Sequence, residues 1–302
     1  MDGRISNFQQ QASLRRYTMT EGSEKGLDVI DCDNGKIRFL LNVSKALDIM
    51  QLYHEGQNVS FLSKNAFVAR EIPFTRRFEG GMLYTCGYNA AGNVPGHELH
   101  GTLHTTPARV TRMECDENGI LVEAQIHDTE LFGKNLVLRR RITSAIGSGS
   151  VMVEDELTNE GFTEAGYGVL YHVNFGYPML DEGAKISANV VSCVPRNAWA
   201  KENVGTMYEI EAPEAGKEET CYFLRLRTPE ISLTNEKIGK KCTLTYSHDT
   251  LPEFTEWKSM ASGDYALGLE PCSTVLDEAF TYTKIAPSET KKFFIRLTVE
   301  KI

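Results

Sequence analysis

Short runs of alternating apolar and polar residues, separated by turns rich in Gly, Asn and Asp, dominate the chain from about residue 26 onward. A period of two is typical of strands with one buried face. The first runs flank an Asp33-Asn34-Gly35 turn, which is a hairpin signal. Further strands are predicted at 120–126, 135–142, 150–157, 186–194, 222–226, 242–246, 265–270 and 291–299. Long amphipathic helices are scarce, so the pattern predicts an all-β, mainly antiparallel sandwich or barrel.

The domain organisation follows from what separates these runs. No linker rich in Pro, Ser or Gly divides the chain, so residues 1–302 are predicted to form a single domain. Residues 1–25 are predicted to be an N-terminal arm, because the segment to about Arg16 is polar and rich in Gln and suits a short helix or a cover over a sheet edge. The acidic segments 116–119 and 211–219 are expected to be solvated surface.

One run, from Tyr167 to Leu180, carries a lone histidine inside an apolar and aromatic strand that ends at Gly176 and Pro178. Alternate residues of a strand share a face, so His172 and Asn174 are predicted to point the same way. The alternative is a core histidine whose ring nitrogens bond to neighbouring groups. A functional role therefore requires partners from elsewhere in the chain.

Composition and charge restrict the partners. The chain has 302 residues, 41% of them hydrophobic, and a formal net charge of -9. Phosphate binding needs clustered Lys and Arg, so a nucleic-acid or anionic-membrane surface is not expected. No apolar run approaches the ~20 residues that span a bilayer, and the N-terminus has no apolar signal-peptide core, so a cytoplasmic protein is predicted. Seven scattered cysteines without a CxxC pair suit reduced thiols.

Two segments combine polar side chains with glycine. In the first, 74–92, Arg76 or Arg77 precedes a Gly80-Gly81 pair and could bind sugar hydroxyls with its fixed set of donors, although a surface ion pair with Glu79 is the alternative. The second, 95–108, holds His97, His100 and His104.

These three histidines do not form a zinc motif. His97-Glu98-Leu99-His100 is one residue short of HExxH, and the flanking Pro and Gly residues favour a loop. No metal site is predicted, and whether His97 and His104 take part is left open.

A third segment, 251–273, supplies a carboxylate and an aromatic platform. Glu270 ends an apolar strand, where burial would raise its pKa and suit a general base; a salt bridge with Arg296 is the structural alternative. Trp257 could pack against a sugar ring, and Lys258 follows it.

Taken together, these segments resemble the aldose 1-epimerase, or galactose mutarotase-like, superfamily, and within it the branch known only as a domain of unknown function. The matching pieces span nearly the whole chain: KALDIMQL from Lys45, FEGGMLYTCGYNAAG from Phe78, LHGTLHTTPA from Leu99, LYHVNFGYPML from Leu170, LPEFTEWK from Leu251 and YALGLEP from Tyr265. The resemblance implies a β-supersandwich with its active site on the concave face of a large sheet.

The resemblance also implies a reaction, the interconversion of sugar anomers by ring opening and reclosure. Carried over by motif, Glu270 is the base that takes the proton of the anomeric hydroxyl and His172 is the acid that protonates the ring oxygen. His100 is implied to bind the sugar, and Arg77 is a less secure match. No cofactor is required, because the reaction involves no net redox change, and a phosphate-cradling glycine motif is absent from the sequence.

One departure from the family pattern adds a residue. Tyr171 precedes His172 where asparagine is usual, and Asn174 follows it on the same face, so Asn174 is predicted to contact the substrate. Trp257 and Lys258 complete the predicted binding residues.

Other functions stay open at this stage. A carbohydrate-binding protein without catalysis is one alternative, and a metal-dependent sugar isomerase or lyase that uses the loop histidines is another. The sequence leaves undecided which sugar is used, whether it is phosphorylated, and whether the protein forms a homodimer.

Overall fold

The strands are arranged in two large antiparallel sheets and one small one in the computed structural model, which describes residues 3–276 and 280–302. In chain order they are β1 (Ser13–Thr18), β2 (Asp28–Asp33), β3 (Ile37–Asn42), β4 (Asp48–His54), β5 (Gln57–Asn58), β6 (Phe61–Leu62), β7 (Gly80–Gly81), β8 (Leu83–Tyr88), β9 (Arg109–Asp116), β10 (Gly119–Thr129), β11 (Asn135–Ser144), β12 (Ser150–Asn159), β13 (Ala165–Phe175), β14 (Lys185–Pro195), β15 (Thr220–Asn235), β16 (Lys240–Tyr246), β17 (Glu253–Ala261), β18 (Asp264–Cys272), β19 (Thr283–Ile285) and β20 (Thr290–Lys301). The α-helices α1 (Phe74–Arg77) and α2 (Ala198–Glu202) are short, as are the 3-10 helices Phe8–Gln10, Gly22–Glu24, Leu103–Thr105 and Val204–Thr206. The all-β prediction is confirmed.

Within the described ranges, the smaller of the two large sheets has the order β1-β2-β3-β4-β5. The larger one has the order β19-β13-β18-β17-β15-β16-β20-β12-β11-β10-β9, with β8 paired to β13 and β14 paired to β15. Strands β6 and β7 form a separate pair. The N-terminal segment contributes β1, which pairs along its length with β2, so part of it is a strand of the sheet.

Alternation along the strands builds the core between the two large sheets. In β10, Ile120, Val122, Ala124 and Ile126 are buried while the residues between them are more exposed. They join one apolar cluster with side chains of β2, β3 and β4. Burial of apolar surface contributes about 25 cal/mol per Å², so this core holds the sheets face to face.

A buried ionic network crosses this core. Arg140 of β11 donates to Asp48 of β4 at 2.6 Å and to Asp155 of β12 at 2.7 Å, and the Tyr171 hydroxyl of β13 donates to Asp155 at 2.7 Å. A charge without a partner is costly in the interior, so these contacts favour one relative position of the four strands.

Strand β13 is buried on both faces from residue 167 to residue 175. Val173 and Phe175 point into the main core, and His172 points to the other side. The antiparallel register pairs Leu170 with Cys272 and Val173 with Leu269, which sets His172 opposite Glu270 of β18. Strand pairing thus brings together two residues that are far apart in sequence.

Candidate active site

A cavity of about 620 Å³ opens on the face of the large sheet that carries His172 and Glu270. Its wall includes His100 and Trp257, two other residues predicted from the sequence. Four phenylalanine side chains also line it, and these are Phe61, Phe74, Phe78 and Phe223. A concave and largely apolar cavity with a few converging polar groups is typical of small-molecule sites.

His172 and Glu270 lie next to each other in the cavity wall. His172 Nε2 lies 3.2 Å from Glu270 Oε1, and both side chains are almost fully buried. Within the described part of the chain, neither His172 Nδ1 nor Glu270 Oε1 makes a hydrogen bond. Buried polar atoms are nearly always bonded to something, so such atoms in a cavity wall indicate a position for a ligand or water.

Burial shifts both groups toward their neutral forms. Desolvation raises the pKa of Glu270 well above its ordinary value, and the negative charge of Glu219 raises it further. Desolvation lowers the pKa of His172 well below its ordinary value, and the neighbouring His100 lowers it further. Both shifts favour the neutral forms, a protonated carboxyl group and an uncharged imidazole.

His100 reaches the cavity from a strained loop. Its backbone has φ of 66°, a conformation that few side chains adopt, and Gly101 follows with φ of 73°. A Cβ at Gly101 would lie 2.4 Å from the Gly87 carbonyl oxygen, so this position requires glycine. His100 Nδ1 lies 2.9 Å from the Ala91 carbonyl oxygen, which can only accept, so Nδ1 carries the proton and Nε2 is left as an acceptor.

Trp257 forms one wall of the cavity. Its ring lies edge to face with His172, 5.7 Å between centroids. The indole Nε1 donates to Glu219 Oε2 at 2.6 Å, and Arg196 donates to the other oxygen of Glu219 at 2.5 Å. Arg196 lies in no motif of the sequence, and Glu219 ends the acidic segment 211–219 that was expected to be solvated surface.

Lys258 was predicted to bind the substrate with Trp257, but it does not line the cavity. Side chains alternate along β17, so Lys258 points to the opposite face of the sheet from Trp257. Its ammonium group is buried there, donating to the carbonyl oxygens of Thr206 at 2.7 Å and Glu209 at 2.9 Å. Lys258 therefore holds the segment after α2 and is not a wall of the cavity.

The predicted arginine does not line the cavity. Arg77 is buried, donates to the Tyr84 hydroxyl at 3.0 Å and lies 3.3 Å from Glu98, while Arg76 is exposed. Neither belongs to the cavity wall. Their role in sugar binding stays a prediction, and Arg77 is held by Tyr84 and Glu98 beside the cavity wall.

Asn174 lies next to the site but beneath its surface. It is fully buried, its amide donates to the His172 carbonyl oxygen at 3.0 Å, and it is not part of the cavity wall. The amide nitrogen thus bonds to the backbone of His172, and the predicted contact with substrate stays a prediction.

The other two loop histidines lie outside the cavity. His97 is exposed, while His104 is buried with Nδ1 2.7 Å from Asp48 and its ring stacked on Tyr84. Over residues 3–276 and 280–302, no group of three or more His, Cys, Asp or Glu side chains is placed to hold a metal ion. The structural alternative for Glu270 also fails, since Arg296 is exposed on β20 with β17, β15 and β16 between them.

The fold is galactose mutarotase-like, as the resemblance implied. The chain belongs to the family described as Domain of unknown function (DUF4432), whose model matches residues 24–299. Among the curated proteins, none matches the sequence. In the same described ranges, no helix is long and apolar enough to cross a membrane.

Solved structures share this fold at low sequence identity. A candidate aldose 1-epimerase from Klebsiella pneumoniae is 20% identical with a TM-score of 0.85, covering 95% of this chain and 83% of that one. A galactose mutarotase-like protein from Clostridium acetobutylicum is 12% identical with a TM-score of 0.71, covering 97% and 100%. Galactose 1-epimerase from Lactobacillus acidophilus is 13% identical with a TM-score of 0.68, covering 96% and 99%. At these identities the likeness shows the fold alone.

Proposed function

We propose that the protein interconverts the anomers of a reducing sugar, with Glu270 and His172 as the base and the acid. The observation that carries this proposal is the 3.2 Å approach of His172 Nε2 to Glu270 Oε1 in the cavity wall. The anomeric hydroxyl oxygen and the ring oxygen of a sugar are bonded to the same carbon. An acid and a base that serve both oxygens must therefore lie side by side, as these two do.

The reaction requires one proton on the pair. In the reactive form Glu270 is a carboxylate and His172 is protonated, one proton transfer away from the pair of neutral forms that burial favours. Sugar hydroxyls that donate to the carboxylate stabilise its charge and favour this transfer. Glu270 then takes the proton of the anomeric hydroxyl while His172 gives its proton to the ring oxygen.

Ring opening follows from these two transfers. The bond between C1 and the ring oxygen breaks, and C1 becomes an aldehyde carbon. Rotation about the bond between C1 and C2 presents the other face of the aldehyde, and the reverse transfers close the ring as the other anomer. No proton or electron is gained or lost, and His100 Nε2 can accept from a hydroxyl during the process.

The test is anomer exchange measured by saturation-transfer NMR over a panel of aldoses. The protein should accelerate exchange for at least one aldose, and Glu270→Gln should slow it about 10²- to 10⁴-fold because the base is lost. Glu253→Gln is the matched control, since Glu253 lies in β17 of the same sheet and pairs with Arg225 outside the cavity. Exchange that Glu270→Gln leaves unchanged contradicts the proposal, and sugar binding without exchange favours a binding protein instead.

A further inference from the structure

The cavity wall contains an arginine that no sequence motif indicated. Resting on the proposed function, we propose that Arg196 binds the ring hydroxyls remote from the anomeric carbon, and that Glu219 holds Arg196 and Trp257 in place for this. The ligand chemistry is a pyranose whose C–H face packs on the Trp257 indole while two neighbouring hydroxyls accept from the Arg196 guanidinium.

The three side chains form one connected unit. One oxygen of the Glu219 carboxylate accepts from Arg196 at 2.5 Å, and the other accepts from Trp257 at 2.6 Å. All three line the cavity. Each carboxylate oxygen of Glu219 holds one of the two neighbouring donors, so we assign Glu219 a positioning role and the contacts with the sugar to Arg196 and Trp257.

Arg196 retains donors for a ligand. A guanidinium group has five N–H donors in a fixed plane, and the described residues provide one hydrogen bond to the Arg196 side chain, from Nη2 to Glu219. Its side chain is 40% exposed and lines the cavity, which leaves room for a ligand beside the guanidinium. Paired donors on a rigid plane match two adjacent hydroxyl oxygens of a sugar ring.

The strand register places Arg196 and Trp257 next to Glu270 on the same face of the sheet, two residues along β17 from the position that pairs with Glu270. The Arg196 backbone N–H donates to Cys221, and Cys221 of β15 pairs with Trp257 of β17. In the next row Thr255 pairs with Glu270. A sugar with its anomeric carbon at Glu270 would thus extend along the sheet toward Trp257 and Arg196.

The experiment compares Arg196→Gln with Arg225→Gln. Arg225 is the matched control because it also pairs with a carboxylate, Glu253, at 2.5 Å on the same sheet, but outside the cavity. One arm measures KM and kcat for anomer exchange, and the other measures binding of methyl α-pyranosides of glucose, galactose and mannose by titration calorimetry. Methyl glycosides cannot open their rings, so the second arm reports binding alone.

For Arg196→Gln we expect KM to rise and methyl glycoside binding to weaken about 10- to 100-fold, as for lost bonds to a charged group, with kcat within about threefold. Glu219→Gln should weaken binding less, since Arg196 and Trp257 remain. Arg225→Gln should match the wild type in both arms, and thermal unfolding should show that every variant is folded.

The two proposals fail separately. Unchanged binding and KM in Arg196→Gln overturn the role of Arg196 and leave the anomer exchange intact. Wild-type binding that depends on Arg196, without exchange of any aldose, overturns the exchange and leaves the binding role intact. A wild-type protein that binds none of the three glycosides and exchanges no aldose overturns both.

Discussion

Gly268 and Glu270 share one face of β18, and the space beside the Glu270 carboxylate exists because Gly268 has no side chain. A Cβ at Gly268 would lie 2.3 Å from Glu270 Oε1 and 3.0 Å from the His172 ring. Gly268 also pairs with Trp257 in the register of β17 and β18. A single glycine thus makes room for the Glu270 carboxylate, the His172 ring and the Trp257 indole to converge.

Gly268→Ala should therefore disturb the reactive pair directly. The methyl group forces the Glu270 carboxylate or the His172 ring to move, and we expect kcat for anomer exchange to fall about 100-fold, since misplacement by about 1 Å has effects of that size. Gly205→Ala is the control, because a Cβ at Gly205 meets nothing within 4 Å. Equal rates in the two variants would show that Gly268 has no such role.

The pH dependence follows from the pKa shifts of the pair. Below the lowered pKa of His172 a second proton binds, and above the raised pKa of Glu270 the shared proton is lost. A bell-shaped profile of kcat/KM is expected, because the proposed mechanism requires the singly protonated pair.

Glu219→Gln provides a check on the alkaline side of this profile. Removing the negative charge that raises the pKa of Glu270 should move the alkaline limb to lower pH. The measurement is the initial rate of exchange against pH for both proteins. A limb that stays in place or moves to higher pH would contradict the assignment of Glu270.

Much of the fold was predictable because alternation is a local property of the sequence. The buried positions Ile120, Val122, Ala124 and Ile126 of β10 could be identified from their period of two. Alternation also indicates that Trp257 and Lys258 cannot both reach the cavity, because adjacent residues of a strand face opposite sides of the sheet.

The contact between Arg196 and Glu219 in the cavity wall could not be predicted in this way. Arg196 and Glu219 are 23 residues apart and meet only because β14 pairs with β15. The position of Arg77 depends on local geometry instead. The sequence does not show that the short helix α1 places Arg77 against Tyr84 and Glu98. Long-range pairing and local loop geometry decide such positions.

Arg140→Met tests the ionic network of the core. The variant leaves Asp48 and Asp155 buried without their shared cation, so a loss of about 3–5 kcal/mol in the free energy of unfolding is expected. Arg141→Met is the control, since Arg141 is half-exposed in the same strand and pairs with Glu154 at the surface. Its loss should stay below about 1 kcal/mol in urea unfolding. Equal losses in the two variants would contradict a structural role of the network.

Glu256 should make stability depend on pH. It is fully buried, makes no side-chain hydrogen bond within the described residues, and desolvation raises its pKa while Lys258 opposes the rise. Because the folded pKa exceeds the unfolded one, the folded state holds a proton that the unfolded state releases. Stability is complete below the unfolded pKa and is lost as pH rises through the folded pKa.

Glu256→Gln removes this dependence. Between the two pKa values the wild type should lose about 1.4 kcal/mol per pH unit relative to the variant. Urea unfolding at pH 5, 7 and 9 measures the difference. A variant that loses stability with pH as steeply as the wild type would show that Glu256 is ionised throughout.

The most direct test of the central claim is saturation-transfer NMR of anomer exchange across a panel of aldoses, with wild-type protein, Glu270→Gln and His172→Gln side by side. The proposed mechanism predicts that the wild type accelerates exchange of at least one aldose and that either substitution lowers the rate at least about 100-fold. Exchange that persists at the wild-type rate in both variants, or no acceleration for any aldose by the folded wild type, would contradict it.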